Sequence, residues 1–225
     1  ASGSLGGKAR GLAFMNHMLM ENELNTKYSN IRIRIPKVAV IGTDEFDHFM
    51  DDNNLWKIAF SKTKSDKAIT KAFLKGSLSK ELKVILSRYL SDVKFPIAVR
   101  SSSLLEDSQY QPLSGMYSTY MLPNSDKSKK LRLDQLKKAI KLVFASTYFN
   151  EPKSLIENSV HRHEEEKMAV VIMELIGKHH ENRFYPTASG SAQSFNYYPI
   201  SYMKREEGVA FLALGLGRSI ADGEK

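Results

Sequence analysis

Residues 95–103 read Phe95-Pro96-Ile97-Ala98-Val99-Arg100-Ser101-Ser102-Ser103. The apolar run 95–99, with its proline near the start, reads as a short buried strand. It runs directly into an arginine and three serines. That places a cation and several hydroxyls at the C-terminal edge of a strand, where ligand sites of α/β sheets gather. The planar fork of an arginine suits phosphate better than a lysine does, because it can bind two oxygens at once. A plainer reading is also open: Arg100 pairs with Glu106 or Asp107 and pins the polar loop 104–114.

Downstream, Gly115-Met116-Tyr117-Ser118-Thr119 leads into a strand over 117–122, marked by aromatic and Thr content. Leu136, Ala139, Ile140, Val143, Phe144 and Thr147 lie on one face of a helix. The run 168–173 reads as a fully buried strand. Two further strands are expected over 191–197 and Val209–Leu214, the latter ending in Gly215-Leu216-Gly217. Upstream, Leu78, Leu82, Ile85, Leu86, Tyr89 and Leu90 mark a helix. A strand is expected over 35–41, followed by Thr43 as an N-cap with Asp44 and Glu45 suited to the helix dipole. Residues 9–20 read as an amphipathic helix, with Leu12, Met15 or Asn16, and Leu19 on one face. No internal repeat appears. The pattern is α+β with mixed β-sheets flanked by helices, in two lobes meeting near 176–181.

Composition narrows the classes. Hydrophobic residues make up 42% and charged residues 26% of the 225, the balance of a soluble globular protein with a real core. No apolar run approaches the ~20 residues of a membrane helix, so no membrane partner is expected. Residues 1–5 lack the order of a signal peptide. The absence of cysteine excludes disulfides and thiolate metal sites, and it fits a cytoplasmic setting. The net charge of +8 is spread along the chain, with a modest concentration over 57–83. The lysine-rich stretch 61–75 reads as a solvated helix face or loop. Without zinc-finger spacing or an RNP-like aromatic pattern, the charge reads as plain surface and attraction for small polyphosphates, not as a nucleic-acid face.

Gly6-Gly7-Lys8 stands at a helix start, where glycines let backbone approach an anion and the helix dipole favours negative charge. It lacks full P-loop spacing and is equally readable as a glycine turn. Gly115 with Thr119 could fold over phosphates or simply lead from loop to strand. His179-His180 suggests a metal pair at first sight. Adjacent strand side chains point to opposite faces, however, so the pair reads as a polar turn.

Taken in order, Gly-Gly-Lys, Val-Arg-Ser-Ser followed by Glu-Asp, and Gly-x-x-x-Thr resemble the nucleotide-binding domain of phosphoenolpyruvate synthase and pyruvate phosphate dikinase. The same ATP-grasp-type domain occurs in rifampicin phosphotransferases and glucan, water dikinases. Val143-Phe144-Ala145-Ser146, the strand 170–176, Ser189-Gly190 and Gly215-Leu216-Gly217 continue the likeness over the whole chain.

The resemblance implies an ATP-grasp-like fold with one lobe at 1–177, including the phosphate-contacting loops, and the start of a second at 178–225. It implies that Lys8 and Arg100 contact ATP phosphates and carry the catalytic role, with Ser101 beside them. Gly115 and Thr119 match the phosphate loop. Met173, Glu174 and Ile176 match the hinge strand whose backbone contacts adenine. Two positions depart from the pattern: Met173 stands where Gln is usual, and Arg218 follows the glycine motif where Glu is frequent. Magnesium ligands, the carrier histidine and the domain binding pyruvate or another acceptor are expected beyond residue 225. A non-catalytic nucleotide sensor of the same fold is the alternative. Oligomeric state and acceptor are not legible.

Overall fold

The computed structural model describes residues 3–28, 30–103, 115–157, 166–217 and 220, and the side chains of all of these except residues 25 and 157. Glu106, Asp107 and Arg218 lie outside the described residues. Two compact units are present, Ala1–Leu175 and Ile176–Lys225.

The first unit is organised by a four-stranded sheet. Its strands are β1 (Val38–Ile41), β2 (Ile97–Ser103), β3 (Thr119–Leu122) and β4 (Met168–Glu174), in the order β1-β4-β2-β3. The apolar run in β4 is explained by its central place, paired on both sides. Every pairing between described strands is antiparallel, where mixed sheets were expected. The registers Val40↔Val171, Arg100↔Val171 and Arg100↔Thr119 put these four residues in one row across the sheet. Side chains alternate along each strand, so this row shares a face with Met173, while Ile97, Val99, Val170 and Ile172 point to the other.

That second face is the core. Against it pack α3 (Thr43–Asp52), α5 (Asp66–Lys75), α6 (Lys80–Asp92) and α7 (Lys129–Ser146), through Phe46, Phe49, Phe73, Leu86, Leu90, Ile140 and Phe144. Phe46 and Phe49 meet the Phe144 ring at 5.2 and 5.4 Å between centroids. Ser65, Ser79 and Ser128 cap α5, α6 and α7, each hydroxyl accepting from a backbone N–H in the first turn. The short α4 (Trp56–Ala59) joins α3 to α5, and α8 (Asn150–Glu157) follows α7.

Several expectations are corrected here. The lysine-rich 61–75 is in large part α5, and Ile69 and Phe73 are fully buried core residues. Thr43 is the first residue of α3, not its cap: Gly42 takes that place, and the Thr43 hydroxyl accepts from the Ser4 N–H at 2.9 Å. Asp44 and Glu45 do stand in the first turn. The strand of 95–99 starts at Ile97 and continues through Ser103, because the three serines are buried in the sheet and paired along β4. The segment 9–20 belongs to α1 (Gly6–Glu21), but its burial is at Gly6, Gly7 and Ala9. Leu12 and Leu19 are only half-buried, and Phe14, Met15, Met18 and Met20 are exposed. After α1 comes the short α2 (Leu24–Lys27).

The second unit contains a hairpin of β5 (Lys178–His180) and β6 (Arg183–Tyr185), and a ribbon of β7 (Ala188–Gln193) and β8 (Val209–Leu214). His179 and His180 are therefore strand residues, not a turn. The His180 ring stacks on Tyr185 at 4.0 Å, and His179 meets the Phe184 edge at 5.1 Å. The strand expected at 191–197 begins three residues earlier, at Ala188. Gly215 has a φ of +78°, and its carbonyl accepts from the Ser189 hydroxyl at 2.7 Å, which ties the glycine motif to the ribbon.

Candidate functional site

The face of the sheet that carries Arg100 is covered by α1, and the way α1 is attached creates a cleft. Gly6 has a φ of +72°, and a Cβ there would stand 1.7 Å from the Ser102 carbonyl oxygen. Only glycine permits that approach. The Ser102 hydroxyl donates to the Leu5 carbonyl at 2.8 Å and accepts from the Ala9 N–H at 3.1 Å, which binds the start of α1 to β2. The helix N-terminus has no side-chain cap from Leu5.

Between α1 and the sheet lies a pocket of about 310 Å³, lined by Gly7, Lys8, Gly11, Leu12, Met15, Arg100, Val171 and Met173. Lys8 and Arg100, remote in sequence, thus face one space. The Lys8 ammonium donates to the Ser101 hydroxyl at 3.4 Å. Arg100 is half-buried, and its guanidinium makes no hydrogen bond or ion pair with a described residue. Met15 is two helical turns beyond Lys8, about 10 Å along the axis. The pocket therefore offers two cations near the helix start and thioethers further along. That arrangement suits an elongated ligand with an anionic end and a flat apolar end.

The remaining expected residues divide. Ser101 is buried beside Lys8. Thr119 lies opposite Arg100 on the same face, at an exposed position. Gly115 has a φ of +81° and no described atom within 4 Å of a would-be Cβ, so backbone conformation alone calls for glycine there. Glu174 does not face the pocket. Its carboxylate accepts from both Arg34 terminal nitrogens, at 2.7 and 3.3 Å, and from the Lys37 N–H at 3.1 Å. The Arg34 hydrogen bond holds this carboxyl below its ordinary range. The backbone N–H groups of Glu174 and Leu175 donate to Lys37 and Pro96 carbonyls, so neither is free for a base. Ile176 is the first residue of the second unit.

Sequence reasoning missed the supports of 115–119. The Tyr117 hydroxyl donates to the Glu166 carboxylate at 2.7 Å, with both groups buried. Burial first, and then the Glu166 charge, push the Tyr117 hydroxyl well above its ordinary value. The Ser118 N–H donates at 3.1 Å to the Ser146 hydroxyl, which itself donates to the Val143 carbonyl at 2.7 Å. The Val-Phe-Ala-Ser run was the signal, but as a pattern it did not disclose this job.

Among the described residues, no group of three or more His, Asp or Glu side chains could hold a metal ion. No described helix is long and apolar enough to cross a membrane. A comparison with curated proteins returns no match. The family profile described as pyruvate phosphate dikinase, AMP/ATP-binding domain, matches residues 2–225. With nearly its whole length matched, and with an α+β architecture consistent with that domain, the chain belongs to the pyruvate phosphate dikinase AMP/ATP-binding domain family.

Proposed function

We propose that the cleft under α1 binds ATP, with the polyphosphate at Lys8 and Arg100 and the base toward Leu12, Met15 and Met173. The observation that carries this reading is the half-buried Arg100 guanidinium, without a described partner, in the same pocket as Lys8. A cation held out of bulk water without a carboxylate is costly unless a ligand supplies the negative charge. Ser101 orients Lys8, and Gly115 and Thr119 approach the phosphates from the turn before β3 and from its first residue. In the parent enzyme this positions ATP for phosphoryl transfer to a carrier histidine and then to an acceptor such as pyruvate. Phosphoryl transfer depends mainly on positioning and charge neutralisation, which assigns the catalytic role here to Lys8 and Arg100. The first lobe, 1–177, then carries the phosphate contacts, and 178–225 begins the second.

Equilibrium titration with ATP tests the reading. Each charge-assisted contact to phosphate is worth about 1.5–3 kcal/mol, so Arg100→Ala and Lys8→Ala should each weaken binding by about tenfold or more. Lys71→Ala, on the exposed side of α5, should leave it unchanged. Equal affinity in all three variants would overturn the assignment. A nucleotide sensor without turnover is the second reading, favoured by Met173 lining the pocket where a Gln amide would read the base. Under that reading ATP binds but full-length protein releases no AMP in the presence of acceptor.

A further inference from the structure

Gly115 and Thr119 can meet phosphates only if the segment between them is held in one conformation. Tyr117 and Ser118 precede β3, which begins only at Thr119. Side-chain bonds to distant parts of the chain hold them instead, one of them between Tyr117 and Ser103. Tyr117, 6% exposed, reaches Glu166, 2% exposed, just before β4. Ser118 is held through its backbone N–H by Ser146, fully buried in the last turn of α7. Ser146 is fixed in turn by its bond to the Val143 carbonyl. Successive residues are thus anchored in two directions, one to the β4 side and one to α7. Two residues before Tyr117, Gly115 turns with positive φ, and immediately after Ser118, Thr119 pairs with Arg100.

We infer that Tyr117, Glu166 and Ser146 are positioning residues for the phosphate-binding segment 115–119, acting through its backbone and not by touching the nucleotide. The inference rests on the ATP reading above. Neither anchor is needed to seal the core: Ser146 offers a hydroxyl where Ala would pack as well, and the Tyr117 ring stays buried without its hydroxyl. Their common effect is to keep Gly115 and Thr119 at a fixed distance from Arg100, so their loss should be felt by the phosphates and not by the base.

The experiment measures dissociation constants of ATP, AMP and adenosine for wild type, Ser146→Ala, Ser146→Thr, Tyr117→Phe and Arg100→Ala, with melting temperatures alongside. Losing one such hydrogen bond should weaken ATP binding about threefold to tenfold in Ser146→Ala and Tyr117→Phe. Adenosine affinity should stay within about twofold, because adenosine has no phosphate for the segment to meet. Ser146→Thr keeps the hydroxyl and should restore ATP affinity. Parallel losses for ATP and adenosine, or unchanged ATP affinity in both anchor variants, would overturn the inference. If Arg100→Ala also leaves ATP affinity unchanged, the ATP reading itself falls. If Arg100→Ala weakens ATP while the anchor variants do not, only the positioning role falls. Should Tyr117→Phe fail to fold, the Ser146 pair of variants decides alone.

Discussion

Arg132 and Arg100 are both withdrawn from solvent, yet the regions around them treat the same side chain in opposite ways. Arg132, on α7, is 4% exposed, and its guanidinium donates to the carbonyls of Leu90 and Val93 and to the Asn124 amide oxygen, at 3.1, 3.1 and 3.2 Å. Two of those acceptors end α6, where the helix dipole is negative, so the region compensates a buried cation without a carboxylate. Asn124 completes the corner by donating to Val93 and Phe95 carbonyls. Arg100 has no such cage among the described residues and looks into a pocket. The lesson is that burial alone does not sort structural from functional cations. The supply of acceptors does.

The change expected to break this contrast most severely is Gly6→Ala. Its Cβ would collide with the Ser102 backbone at 1.7 Å in a φ of +72°, and no flexible atom stands there to yield. Strain of that kind should cost about 3 kcal/mol or more, and because it displaces α1 it should also abolish the Lys8–Arg100 pocket. Chemical denaturation and ATP titration should therefore both fail, whereas an unchanged midpoint would show that α1 is not anchored at Gly6.

Next come the two arginines themselves. Arg132→Met removes three hydrogen bonds and leaves the Asn124 amide oxygen without its donor, while the Leu90 and Val93 carbonyls keep Lys94 and the Asn124 amide. It should lower stability by about 3 kcal/mol, with a melting temperature lower by roughly 10 °C. ATP affinity of the folded fraction should be intact. Arg100→Ala should do the reverse, weakening ATP about tenfold or more at an essentially unchanged melting temperature, and Arg100→Lys should restore little because the fork is gone. If Arg100→Ala proves to be a stability mutant, the contrast between the two regions collapses.

The same contrast marks what could be read in the chain. β8 is legible to its last residue because alternation is not needed: six apolar residues stand between the Gly208 and Gly215 breaks. The α6 face is legible because Leu82, Leu86 and Leu90 keep a spacing of four behind the Ser79 cap. α5 is not, since only Ile69 and Phe73 are fully buried among lysines whose stems tolerate either state. The full length of β2 is hidden because buried serines look like a polar loop until their partners in β4 are known. Within the site, the order of glycines, Lys8 and Arg100 along the chain is visible, and the pocket brings these two cations together. Glu174 is different. Its neighbour Met173 lines the cleft, but strand alternation turns the carboxylate away, toward an Arg34 that no local pattern could pair with it. The Tyr117–Glu166 and Ser118–Ser146 bonds are equally remote in sequence.

The smallest expected effect sharpens the comparison at its surface end. Arg34 and Glu174 form a bidentate pair whose Arg34 end is well exposed to water, so the pair contributes less than the caged Arg132. The sign of their pH dependence follows from Glu174 being held below its ordinary value near 4.5 by the Arg34 hydrogen bond. A depressed carboxylate stabilises the fold fully above its unfolded value, and that contribution is lost as pH falls through the folded value. Glu174→Gln should therefore be slightly less stable than wild type at pH 7, and the gap should begin to narrow near the ordinary value of about 4.5 and close as pH falls through the lower folded value, where the wild-type carboxylate also becomes neutral. Raising salt to about 1 M at pH 7 should shrink the same gap, because the screening length falls to roughly 3 Å. Arg132→Met should show neither behaviour, since its acceptors are carbonyls and an amide that do not titrate and are sealed from salt. A salt-insensitive, pH-independent deficit in Glu174→Gln would mean that the carboxylate acts there as a plain hydrogen-bond acceptor for the Lys37 N–H, and that its charge on Arg34 contributes nothing.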